Sequence, residues 1–205
     1  MRKEIKMFHI GVSEGGNQDW LTDPFMRLGG CAAVTACDCA IYFDLNFGTA
    51  LYPFEITQVQ KQDYVKFTSV MKPYLHPRMS GINKTNIFVD GFGAFLKDSG
   101  EERITVCAFD SAKSEDEAFE AVKRQINRGL PIPYLNLINR DKRLKEYEWH
   151  WFLLTGYAEY DDGRMVRALT YSTPEWIDFS ALWNTGFSQK GGMIIFNTEN
   201  SNEEI

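Results

Sequence analysis

Apolar and polar positions along the chain change their period near residue 100. In the first half, apolar residues recur at helical spacing. Tyr64, Phe67, Met71, Tyr74 and Leu75 mark one stripe, with a start near Thr57 and an end brought about by Pro73 and Pro77. Phe88, Phe92, Phe95 and Leu96 mark a second, with Asn83 to Asn86 as capping residues and Gly100 past its end. Both stripes read as core. The run Cys31 to Phe43 is apolar on every side except at Thr35 and Asp38, so it predicts a helix buried nearly all round. It is too short to cross a bilayer.

In the second half, strands dominate. Arg103–Phe109, Ile132–Ile138, Trp149–Tyr160, Met165–Ser172 and Gly191–Phe196 read as strands, with Asp161-Asp162-Gly163 turning one hairpin. One helix interrupts them. Ser114 to Glu117 forms a capping box, Ala118, Phe119, Val122 and Ile126 continue it, and Gly129 and Pro131 close it. Met7–Val12 reads as a short strand, Ser13–Asn17 as a glycine-rich turn, and Gln18–Leu28 as irregular. Asn139–Glu148 reads as a solvated loop, Trp176–Trp183 as one short helical turn, and Asn197–Ile205 as a frayed tail. Helices segregated from strands predict an α+β fold rather than alternating βαβ units. One domain is expected, with a helical lobe over about 13–100, a sheet lobe over about 101–198 and a cleft between them.

Composition narrows the function classes. The chain has 205 residues, 44% of them hydrophobic, enough for a full core. Its formal charge is −6 and no basic cluster occurs, which argues against nucleic acid and anionic membranes as partners. No signal-peptide pattern or transmembrane run is visible, and the four cysteines form no metal-ligand spacing, so no metal and no cofactor is expected. Three of the cysteines fall on one helix at separations unsuited to disulfides, which points to a reducing cytoplasm.

Two residues carry candidate chemistry. Gly29 and Gly30 put Cys31 in the first turn of the buried helix, where free N–H groups and the helix dipole favour a thiolate. Cys37 and Cys39 lie deeper and read as packing. His150 opens a long strand between Trp149 and Trp151. His9, alone in an apolar segment, reads as a core residue. A cysteine and a histidine distant in sequence but adjacent in space would form a nucleophile–base pair.

Gly29-Gly30-Cys31-Ala32-Ala33-Val34 with the apolar helix behind it resembles the nucleophile segment of papain-like cysteine peptidases, most closely the bacterial branch related to bacteriocin-leader peptidases. His150-Trp151-Phe152-Leu153-Leu154-Thr155-Gly156-Tyr157 is similar to that branch's histidine strand. Leu182-Trp183 and Gly191-Gly192-Met193 resemble the closing part of such domains. The Cys-Gly-Ser-Cys-Trp signature of plant and lysosomal members is absent. The resemblance implies a papain-like fold and cleavage of peptide or amide bonds in a peptide or protein substrate. It implies Cys31 as nucleophile and His150 as base, with a glutamine upstream of the cysteine to bind the oxyanion. Gln18 fills that place and Asn17 is its fallback. The family's third member, Asn or Asp on the strand after the histidine, has no counterpart in Thr170-Tyr171-Ser172-Thr173. Ser172 or Tyr171 is the expected substitute, with Asp178 a distant alternative. The departure leaves open a second expectation, a binding protein that keeps the fold without turnover.

Overall fold

The computed structural model describes residues 1–78 and 81–198. The part of the expected tail from residue 199 onward lies outside them. The chain begins with β1 (Arg2–Glu4), then a tight hairpin of β2 (His9–Ile10) and β3 (Ser13–Glu14). A 3-10 turn (Gln18–Trp20) leads into the helices α1 (Pro24–Gly29), α2 (Cys31–Phe47), α3 (Lys61–Met71) and α4 (Thr85–Asp98). Next come β4 (Ile104–Ala108), α5 (Glu115–Asn127) and β5 (Ile132–Asn136). A second 3-10 turn (Lys142–Tyr147) precedes β6 (His150–Tyr160), β7 (Gly163–Thr170) and β8 (Thr173–Asp178). The chain closes with α6 (Phe179–Trp183) and β9 (Gly191–Thr198). The fold is α+β, with one large antiparallel sheet. No helix among the described residues is long and apolar enough to cross a membrane.

The sheet runs in the order β4-β9-β5-β6-β7-β8. Its spine is β6, whose first half pairs with β5, from Asn136 opposite His150 to Ile132 opposite Leu154. Its second half pairs on the same edge with β1, from Glu4 opposite Gly156 to Arg2 opposite Ala158. A bulge between Leu154 and Gly156 marks the change of partner. Gly156 is needed there, because a Cβ would stand 3.0 Å from the Lys3 carbonyl oxygen and 2.9 Å from the Glu4 Cβ.

Helix α2 is the centre of the core. Every residue from Cys31 to Phe43 is buried, and the helix packs on β6 and α3. Phe43 meets Phe196 of β9 edge to face at 4.9 Å, and Phe88 of α4 stacks on Trp151 of β6 at 4.7 Å. The helix starts where it does because of Gly30. A Cβ at that position would lie 2.4 Å from the Met26 carbonyl oxygen, so only glycine lets α1 and α2 follow each other without a spacer. It ends at Gly48, in the left-handed region at φ 64°.

Several local expectations need correction. Arg2–Glu4 forms a sheet strand although it is wholly charged, because pairing with β6 rather than side-chain alternation defines it. Only His9 and Ile10 of the expected Met7–Val12 segment form a paired strand, and His9 is exposed rather than core. The segment Gln18–Leu28 is ordered by a 3-10 turn and by α1, which Asp23 caps and Pro24 opens. Helix α3 begins at Lys61 rather than near Thr57. The charged loop before His150 contains a 3-10 turn. Trp176–Trp183 divides between the end of β8 and α6.

Candidate active site

Cys31 is the first residue of α2 and is 9% exposed. Burial raises its thiol pKa above the ordinary value. The backbone N–H groups of Trp151, Ala32 and Cys31 itself act in the opposite direction, and burial outweighs them. The nearness of the Trp151 backbone brings the sulfur to the start of β6. There stands His150, 8% exposed.

The two residues line a single pocket together with Gly16, Gln18, Thr35, Asp38, Thr170 and Tyr171. The space is narrow, about 10 Å³, the scale of one water molecule. Among the described residues no hydrogen bond joins the sulfur to the imidazole.

The ring of His150 is oriented by β7 and the turn after it. Its Nε2 lies 2.6 Å from the Thr170 hydroxyl. Tyr171 stacks over the ring, centroids 5.3 Å apart and planes 6° off parallel. Burial lowers the imidazole pKa to about 4, with no carboxylate acting against it. A raised thiol and a lowered imidazole make a neutral pair at pH 7.

Backbone strain gathers at this place. Trp149, Tyr171 and Ser172 are the non-glycine residues with positive φ among those described, at 53°, 48° and 62°. Trp149 immediately precedes His150. Tyr171 and Ser172 form the two-residue turn between β7 and β8, where Thr170 pairs with Thr173. A two-residue turn with φ > 0 at both positions ordinarily takes Asn-Gly.

The other expected residues sit differently. Gln18 is buried and lines the pocket, but its Nε2 donates to the Arg27 carbonyl at 2.9 Å and the Met26 carbonyl at 3.4 Å. Its Oε1 is the atom left without a partner, an acceptor rather than an oxyanion donor. Ser172 does not hold the imidazole. Its position as the second residue of the turn aims the hydroxyl at the Gly15 and Gly16 carbonyls, 3.5 and 3.1 Å away, and Thr170 takes the ring nitrogen instead. Asn17 donates from Nδ2 to the Tyr171 carbonyl at 3.0 Å. Asp178 caps α6 and lines a separate groove with Asn139 and Ser180. Cys37 and Cys39 are fully buried, and burial holds their thiols well above the ordinary value.

Asp38 has no role in the sequence argument, yet it lines the pocket on α2. It accepts from the Tyr64 hydroxyl at 2.8 Å and from the Gly16 N–H at 2.9 Å. Burial raises its pKa to about 7, against the lowering effect of those two bonds. The signal was visible as a carboxylate inside an otherwise apolar helix, a placement that is rare without a partner. No group of His, Cys, Asp and Glu among the described residues could hold a metal ion. Comparison with protein-family models, curated proteins and solved structures finds no match to this chain.

Proposed function

We propose that the chain is a papain-like hydrolase that cleaves peptide or amide bonds through Cys31 and His150. The observation that carries this reading is their shared pocket: a cysteine opening a buried helix faces the same space as a histidine opening the central strand. In the proposed reaction the thiol proton passes to the His150 Nδ1, since Thr170 occupies Nε2. The sulfur adds to the substrate carbonyl carbon, and the resulting oxyanion is met by free N–H groups of the first turn of α2. The imidazolium then protonates the departing amine as the carbon–nitrogen bond breaks. Water hydrolyses the thioester with His150 again as base, which restores the thiol. Because the resting pair is neutral, proton transfer accompanies attack on the substrate instead of preceding it.

The substrate class is a peptide or protein segment. The compartment is a reducing cytoplasm, consistent with four free cysteines. Incubation with a mixed peptide library, read by mass spectrometry, tests the reading. Cleavage is expected from the parent chain and from Cys107→Ala, and is expected to vanish in Cys31→Ala and His150→Ala. Products unchanged in Cys31→Ala would overturn it.

A second reading is a binding module of the same architecture. It is favoured by the Gln18 amide, whose N–H groups are occupied by the Met26 and Arg27 carbonyls instead of facing a substrate oxygen. Under that reading Cys31→Ala retains full affinity for its peptide ligand, and no cleavage product forms with any variant.

A further inference from the structure

We propose that Asp38 is a positioning residue for the Cys31–His150 pair, holding the Gly15–Asn17 segment that in turn holds the Tyr171–Ser172 turn against the imidazole. This inference rests on the hydrolase reading. It explains how the chain dispenses with an Asn or Asp on the strand after the histidine.

The connections run without a gap. Asp38 lies two helical turns along α2 from Cys31, so both face the same pocket. Its Oδ1 accepts from the Gly16 N–H at 2.9 Å and from the Tyr64 hydroxyl at 2.8 Å. Gly15 and Gly16 fit closely around these groups. A Cβ on Gly16 would fall 1.8 Å from the Tyr64 hydroxyl oxygen, and one on Gly15 2.9 Å from Asp38 Oδ2. From the other side of the same segment, the Gly16 carbonyl accepts from Ser172 at 3.1 Å and Asn17 donates to the Tyr171 carbonyl at 3.0 Å. The turn so gripped is the strained one, with both φ angles positive and no glycine in it. Strain of this kind persists only where surroundings over-determine it. Its yield is the placement of Tyr171 flat on His150, beside the Thr170 hydroxyl that fixes Nε2.

The carboxyl thus works at one remove. It ties the helix bearing the nucleophile to the turn that orients the base. The titratable groups around it are Tyr64 of α3, Cys37 and Cys39 of its own helix, and Cys31, His150 and Tyr171 lining the same pocket.

The test uses the rate at which iodoacetamide alkylates Cys31 across pH 4 to 10, mapped by mass spectrometry, together with kcat and KM on a cleaved peptide. Asp38→Ala is expected to remove the His150-dependent step from the alkylation profile and to lower kcat at least tenfold with KM little changed. Asp38→Asn, which keeps an acceptor for the Gly16 N–H, is expected to recover most of both. Should Asp38→Ala fail to fold, the pair Ser172→Ala and Asn17→Ala cuts the same tie at its outer end and is expected to change the profile in the same direction. His150→Ala separates the two layers of argument. If it leaves the Cys31 profile unchanged, the Cys–His reading itself fails. If it alters the profile while the Asp38 and the Ser172 with Asn17 variants do not, the positioning role is overturned and the pair stands.

Discussion

The hydroxyl of Thr170 lies 2.6 Å from His150 Nε2, joining the last residue of β7 to the first residue of β6. Adjacent antiparallel strands bring these positions together, and the tight turn after Thr170 adds Tyr171 to the face of the same ring. A hydroxyl in this place orients the imidazole but brings no negative charge to it. That difference shapes the pH behaviour of the whole site.

Thr170→Val removes the hydroxyl with almost no change of shape. It leaves a buried ring nitrogen without its partner, at a cost of about 1–3 kcal/mol. Peptide cleavage is expected to fall roughly tenfold or more, as the ring loses its fixed orientation. Denaturant unfolding and steady-state kinetics check the two effects, and unaltered kinetics with lowered stability would deny the hydroxyl an orienting role.

His150 makes stability fall in mild acid. Its folded pKa, about 4, lies below the ordinary 6.5, because burial opposes the charge. The unfolded chain therefore takes up the proton first as pH drops. The contribution is fully present above about pH 6.5 and is lost as pH falls toward 4, a change of about 3 kcal/mol at most. His150→Gln is expected to flatten this part of the curve, measured by urea unfolding between pH 4 and 8.

Asp38 has the opposite sign. Its folded pKa of about 7 lies above the ordinary carboxylate value, again through burial. The folded state holds the proton longer than the unfolded chain does. Stability is thus lost as pH rises from about 4 to about 7 and is level above that. The stability of Asp38→Asn relative to the parent chain is expected to grow across this interval by a few kcal/mol and then stay constant, in the same urea series. A difference independent of pH would mean that the carboxyl does not titrate in this range.

Gly30→Ala places a Cβ 2.4 Å from the Met26 carbonyl oxygen, a backbone atom that cannot step aside. The junction of α1 and α2 must open, and Cys31 moves with it. A loss on the order of 2–4 kcal/mol is expected, in the range of severe backbone and overpacking effects. Gly93→Ala is the contrasting control. Its added Cβ meets only Val106 Cγ1 at 3.5 Å, ordinary contact, and alanine is the better helix former. Thermal unfolding of the two variants gives the comparison.

Apolar patterning together with caps and turn signals was enough to locate α2 to α5 and the strands β4 to β7 and β9, because each buries one side or all sides in a core and is bounded by local stop signals. The residues Cys31 and His150 stood out for a related reason: each is a chemically distinctive residue at the start of a strongly marked element. Elements defined by a partner rather than by their own pattern were not visible. β1 is Arg-Lys-Glu and becomes a strand only through Gly156, Tyr157 and Ala158 opposite it.

The amino-acid order therefore determined the helices and strands that carry their own apolar pattern and which two side chains are chemically eligible, since those properties follow from local period and residue type. Tertiary structure decided which hydroxyl meets the imidazole, which way the Gln18 amide points and what Asp38 holds. Each of those depends on strand register, on a two-residue turn held at positive φ and on a loop packed against Tyr64. Hydrogen bonds across such distances in sequence leave no period to read. They exist only once the sheet has brought residues 15–18 and 170–172 to the same end of helix α2.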